Sequence, residues 1–233
     1  MKYIRNVFAF LLILMLINEG EVVAMNTGFS TGTLSKNDIE TFIENVNISI
    51  LENEPQRQAI ECFDVDEEGT IAIGYSDSQN KTVCIYTNNG DFQYGYSFEC
   101  SGKFGIEIHN RVLNIYFVRS GVIASVNPSG EVLDIKEVQD TTENNSYYYR
   151  FFRVAERTVG DTTYLIRSNM GILNWITASY SQVVVKEFDG TENIIYDASS
   201  IQLQRMTIIF IAILLFLAIF IWRIYCYYCM SGR

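Results

Sequence analysis

Residues 61–100 read ECFDVDEEGTIAIGYSDSQNKTVCIYTNNGDFQYGYSFEC, and their punctuation decides the fold. Short apolar or alternating runs are cut by turn residues every eight to twelve positions, the mark of an antiparallel meander. Strands are expected over 60–65, 71–75, 82–87 and 92–98. Glu67-Glu68-Gly69 forms the first turn and 76–81 a loop. Asn88-Asn89-Gly90 forms a hairpin turn, with Asn-Gly supplying the positive φ of a type I′ turn. The same rhythm continues over 104–108, 112–119, 122–126 and 132–138, separated by Asn110-Arg111, Ser120-Gly121 and Pro128-Ser129-Gly130. A looser third copy is expected at 149–156, 163–167, 182–187 and 193–196, with Asp189-Gly190 before its last strand. Gly90, Gly130 and Gly190 thus hold equivalent turns. The third copy is longer by 168–181, which has room for a short helix at 172–178.

Three four-stranded units predict a mainly β, propeller-like domain over 60–200. A β-sandwich or barrel is the alternative. The first unit resembles a propeller blade of the NHL type. The residues that carry this are Val65-Asp66, Gly69, Ile71, Ile73, Asp77, Asn80-Lys81, Val83, Tyr86, Gly90 and Phe92. The second unit departs from that pattern at Arg119-Ser120-Gly121, and the third keeps only the hairpin and last strands. The resemblance implies stacked blades that bind partners through loops on one face. A closed propeller typically needs at least four blades. Three leave ends to be covered by residues 48–51, by the helix before them, or by a second copy of the chain.

That helix is expected over 35–47 in a lead-in of 25–59. Ile39, Phe42, Ile43 and Val46 recur at helical spacing, and Ser35 with Asp38 resembles a capping box. Residues 25–35, rich in Gly, Thr and Ser, read as flexible.

The ends predict a membrane topology. Residues 206–222, MTIIFIAILLFLAIFIW, carry no charge from Met206 to Trp222 and give roughly 25 Å of helix. That length lies at the short end of the range for a transmembrane span. Residues 1–24 combine Lys2 and Arg5 with an apolar run at 7–17, as a signal peptide does. Cleavage is expected between Ala24 and Met25, and an uncleaved N-terminal anchor is the alternative. Either way the middle of the chain faces outward at the plasma membrane, and a short tail, 223–233, lies in the cytoplasm.

The chain carries 17 Lys and Arg against 27 Asp and Glu. Setting aside the four basic and two acidic residues of the two ends leaves 13 against 25 in the middle. A field of that sign disfavours nucleic acid and anionic surfaces. The partners expected are therefore the bilayer and a protein or glycan. Cys62, Cys84 and Cys100 are an odd set, so no complete disulfide framework is expected. Asn47, Asn80 and Asn144 each open a glycosylation acceptor pattern.

No catalytic, cofactor or metal set emerges. His109 is the only histidine, which rules out a multi-histidine metal site within one chain. Residues 64–71 resemble the start of a calcium loop, but Tyr75 stands at the twelfth position, where that loop needs Glu. A charged turn is expected instead. Cys226 and Cys229 are two ligands where structural zinc needs four. The aromatic run 147–153 reads as core by alternation. The candidate partner-binding residues are Asp77, Asn80 and Lys81 in one loop, and Trp175 and Tyr180 in the 168–181 insertion. The leading expectation is a non-enzymatic, membrane-tethered interaction module. The alternatives are a carboxylate-dependent enzyme acting outside the cytoplasm, for instance on glycans, and a ligand sensor with a cytoplasmic partner.

Overall fold

A computed structural model describes residues 25–77, 80–152, 154–171, 174 and 179–231. The elements begin with β1 (Thr31–Thr33), α1 (Lys36–Val46) and β2 (Ser49–Leu51). A meander follows: β3 (Cys62–Val65), β4 (Ile71–Asp77), β5 (Asn80–Tyr86) and β6 (Phe92–Glu99). The next is β7 (Phe104–His109), β8 (Val112–Phe117), β9 (Val122–Val126) and β10 (Val132–Val138). After α2 (Thr142–Phe152) come β11 (Glu156–Val159), β12 (Thr162–Arg167), β13 (Gln182–Lys186) and β14 (Glu192–Asp197), and α3 (Ser199–Ser231) ends the chain. The domain is mainly β and antiparallel throughout.

The strands form three sheets, ordered β2-β6-β5-β4-β3, β1-β10-β9-β8-β7 and β11-β12-β13-β14. None closes into a barrel among the described residues. The first is the central sheet, because alternation makes both of its faces apolar. Ala72, Val83, Ile85, Tyr96 and Phe98 meet Ile106, Leu113, Ile115 and Phe117 of the second sheet. The intervening residues Phe63, Ile71, Ile73, Tyr75 and Tyr86 meet Tyr164, Ile166, Val183 and Tyr196 of the third. Full burial of a side chain such as Ile71 or Ile73 is worth about 1.5–3 kcal/mol at most. Cys62, Cys84 and Cys100 are free thiols. Burial pushes Cys84 up to about 11, so at neutral pH it packs as a small apolar group.

The turns before each sheet's last strand share one geometry. Gly90, Gly130 and Gly190 have φ of 86°, 82° and 87°. Their N–H groups donate to the carbonyls of Thr87, Asn127 and Glu187, each at 2.9 Å. Only the glycine of each has positive φ, so these are three-residue loops with a left-handed glycine, not the expected type I′ turn at Asn89-Gly90. The two-residue hairpin with both centres left-handed is Asn110-Arg111, at φ 48° and 65°, where His109 pairs with Val112.

The lead-in is ordered where flexibility was expected. β1 pairs with the outer edge of β10, and β2 with that of β6. The lead-in thus blunts two edges that would otherwise offer unpaired backbone groups. α1 lies where its pattern placed it. Ser35 Oγ accepts from the Asp38 N–H at 3.2 Å, and Asn47 ends the helix with φ 47°. Phe42 packs edge-on to Phe117 at 5.0 Å.

Of the strand expected at 149–156, residues 149–152 belong to the helix α2, and strand β11 starts only at Glu156. Tyrosine and phenylalanine in succession suit a strand or a helix equally by period, and the capping decides. The Asn144 N–H donates to Thr141 Oγ1 at 3.1 Å, starting α2. Helical spacing then pairs Tyr147 with Phe151 and Tyr148 with Phe152. These rings pack with Phe29 against Tyr116 and Ile123, covering the outer face of the second sheet. Asn144 itself is 4% exposed. It exchanges hydrogen bonds of 2.8 Å with the Ser30 backbone and donates to the Gln139 carbonyl, so its amide is unavailable as a sugar acceptor in the fold.

No free linker precedes the apolar segment. α3 starts at Ser199, two residues after β14 ends. The Ser199 N–H caps onto Asp197 Oδ1 at 2.7 Å, and Gln202 Nε2 donates to Ser179 Oγ and the Tyr180 carbonyl. From there α3 is a helix long and apolar enough to cross a membrane, with its apolar side chains from Ile208 to Trp222 exposed. Residues 1–24, with the expected signal peptide and Ala24, lie outside the described residues.

Candidate functional site

β3 lies between β7 and β11, and α2 packs against β7. Two cavities open where these elements diverge. One lies at the C-terminal ends of β3 and β7. The other lies at their N-terminal ends, next to the root of α3.

The first cavity has a volume of about 660 Å³. β3 and its turn bring Asp64, Asp66 and Glu67. β7 brings Glu107 and His109, α2 brings Tyr147 and Phe151, and β11 brings Arg157. Alternation explains the two buried acids that the core did not absorb. Ile106 and Ile108 turn towards the central sheet, so Glu107 turns away from it. Phe63 and Val65 turn towards the third sheet, which leaves Asp64 facing the second.

Asp64, 5% exposed, is fully engaged. Its Oδ1 lies 2.5 Å from Arg157 Nε, and its Oδ2 accepts the Ile108 N–H at 2.9 Å. Asp66 Oδ1 accepts the N–H groups of Glu68 and Thr70 at 3.0 and 2.7 Å. This is the charged turn expected at the calcium-like stretch. Tyr147 donates its hydroxyl to Glu107 Oε1. Burial, and then that hydrogen bond, push the Tyr147 phenol above its ordinary range. Three buried atoms are left without a hydrogen-bond partner: Asp66 Oδ2, Glu107 Oε2 and His109 Nδ1. His109 Nδ1 lies 3.8 Å from Glu67 Oε1. Four carboxylates face one guanidinium here, so the cavity is formally negative. Among the described residues, no group of three His, Cys, Asp or Glu side chains is placed to hold a metal ion.

The second cavity, about 560 Å³, is walled by Phe104, Tyr148, Tyr149, Phe152 and Tyr180, with Glu61, Lys81 and Lys103. It unites two of the residues singled out from sequence, Lys81 and Tyr180. Lys81 is already committed. Its Nζ lies 3.3 Å from Glu61 Oε2, donates to Ser76 Oγ, and sits 5.6 Å from the centre of the Phe104 ring. Tyr180 is bridged to Ile60 across the root of the third sheet. Asp77 and Asn80 lie elsewhere, paired with each other at the tip of the β4–β5 hairpin. Trp175 lies outside the described residues.

Sequence reading missed the acidic cavity, although it left a trace. Polar residues interrupt three apolar strands at Glu107, Asn114 and Ser125, and the register sets them side by side. Ser125 Oγ donates to Asn114 Oδ1 at 2.5 Å. Such a row signals a polar lining on one face. No protein-family model matches this chain, and no curated protein matches it.

Proposed function

We propose that the chain is a membrane-tethered interaction module of propeller-like build, held outside the cytoplasm at the plasma membrane, with its acidic cavity facing away from the bilayer. The observation that carries this is the direct growth of the exposed apolar helix α3 out of β14. Such a junction orients the domain as well as anchoring it. The contacts of Gln202 and Ser199 lie beside the aromatic cavity, so the acidic cavity sits at the opposite end of β3.

The propeller-like reading takes β3–β6, β7–β10 and β11–β14 as blades, similar to the NHL type in the first. Its support is the shared turn at Gly90, Gly130 and Gly190 and the meeting of the three first strands along one line. α2 then takes the side of that line left open by three blades, which also removes the need for a second copy to complete a ring. Residues 1–24 act as the signal that exports the domain.

The test is protease treatment of intact cells making the full chain with an epitope after Arg233. External protease should remove the domain and leave a tagged fragment containing α3. Loss of the tag with the domain protected would reverse the topology and sink this reading. Surface crosslinking with mass spectrometry then identifies protein partners, including a second copy of the chain.

The rival reading, an enzyme using carboxylates, draws on the meeting of Asp66 and Glu107 in one cavity. It requires turnover of a substrate, abolished by Glu107→Gln.

A further inference from the structure

The acidic cavity contains two carboxylate oxygens that the fold buries and leaves without a donor. Asp66 and Glu107 are each 2% exposed, and both line the cavity. One oxygen of each is hydrogen-bonded, while Asp66 Oδ2 and Glu107 Oε2 have no partner. A buried charged acceptor without a donor is costly, so native folds rarely keep two in one place without a group that completes them. Their engaged oxygens also hold both carboxylates in fixed orientation, because a turn backbone grips one and Tyr147 the other.

We infer that this cavity binds an organic cation carrying N–H donors, an alkylammonium or guanidinium group, with Asp66 and Glu107 as its acceptors. This deepens the reading of the chain as an interaction module and rests on it. Three features select the ligand class. The uncompensated charge is negative, since Arg157 answers Asp64 alone. The vacant positions are hydrogen-bond acceptors, which N–H groups complete and a quaternary ammonium does not. Tyr147 and Phe151 add aromatic surface to the wall, where a cation gains from the ring faces. A volume of about 660 Å³ lies in the range of small-ligand pockets and exceeds what one ammonium group fills. The cation therefore enters on a longer body, either a free polyamine or a basic side chain of a protein.

Arg157 itself shows the chemistry, since its guanidinium already serves one of the four carboxylates through Nε. The charged groups that line the cavity are Asp64, Asp66, Glu67, Glu107 and Arg157.

The experiment is calorimetric titration of the full chain in an uncharged detergent. The probes are spermidine, the blocked tripeptide Gly-Arg-Gly, tetramethylammonium and calcium. Saturable binding of spermidine or the tripeptide is expected, and the tighter of the two identifies a free polyamine or a protein side chain as the source. Tetramethylammonium should not saturate at the same concentrations. Glu107→Gln should weaken binding by about tenfold or more, as loss of a charged acceptor does, while Glu40→Gln on α1 should leave it unchanged. Equal binding of tetramethylammonium overturns the inference, as does calcium binding in place of the amines, undiminished binding by Glu107→Gln, or no saturable binding at all. The four-probe comparison on the natural chain decides even if Glu107→Gln fails to fold. Protease accessibility scored on the same protein in cells separates the two readings: a correctly oriented domain that ignores spermidine and the tripeptide overturns the ligand class alone.

Discussion

The two ends of the line where β3 and β7 run together carry opposite solutions to the same problem. Each end places charged side chains beside α2. At the end next to α3, Lys81 and Glu61 answer each other, with side chains 14% and 38% exposed, and aromatic rings fill the wall. At the far end, the Asp64 side chain is 7% exposed and depends on Arg157, while Asp66 and Glu107 keep an oxygen unanswered. Charge near the anchor is partly wet, with Glu61 answered by Lys81 and Lys103 left over. Charge at the far end is buried and in excess, which is why the far end is the better candidate for binding.

The largest effect expected comes from buried tyrosines of the core, together with Tyr147 at the acidic cavity. Burial raises the phenols of Tyr75, Tyr86, Tyr96 and Tyr196, and of Tyr147 at the acidic cavity. Their folded values lie above the unfolded value of about 10, so their contribution is complete below that pH and is lost as pH rises towards the folded values. Each such tyrosine removes about 1.4 kcal/mol per pH unit in that window. Urea midpoints should therefore fall steeply above pH of about 10; a flat profile to pH 11 would mean these rings are not held as described.

Arg157→Met is expected to cost about 3 kcal/mol, because it strands the nearly buried Asp64 carboxylate with one backbone donor. The matching change at the other end, Lys81→Met, should cost less than about 1 kcal/mol, since Glu61 can turn to water. Equal losses in denaturant melts would erase the contrast between the ends. Between these lies Gly105→Ala, which acts on the wall shared by both cavities. A Cβ there would overlap the Phe151 ring and stand 2.8 Å from Phe152 Cζ, so α2 must shift. A loss of about 1–3 kcal/mol is expected, with faster amide exchange in α2 than elsewhere. Uniform exchange would show that α2 is not seated by this contact.

How much was legible varied with the range of the forces involved. Strands and turns from residue 60 to 138 could be read from alternation and from Gly69, Gly90 and Gly130, because pleat and turn conformations are set within a few residues. The Ser35 cap and the α1 stripe were readable for the same reason. Residues 147–152 were misread because a run of rings has no polar phase, and the deciding bond, Asn144 to Thr141, lay upstream of it. The ordering of 25–35 was hidden because β1 gains its stability from β10, about a hundred residues away.

By itself the sequence determined a mainly β, antiparallel domain, the apolar helix at residues 206–222, and the acidic balance of the middle. Those follow from local period, length and composition. Only the tertiary structure decided that Asp66 on one sheet and Glu107 on another share a cavity with Tyr147 of a helix, while Asp77 and Asn80 do not reach it. Burial and partner counts depend on which strands lie side by side, and no spacing along the chain contains that information.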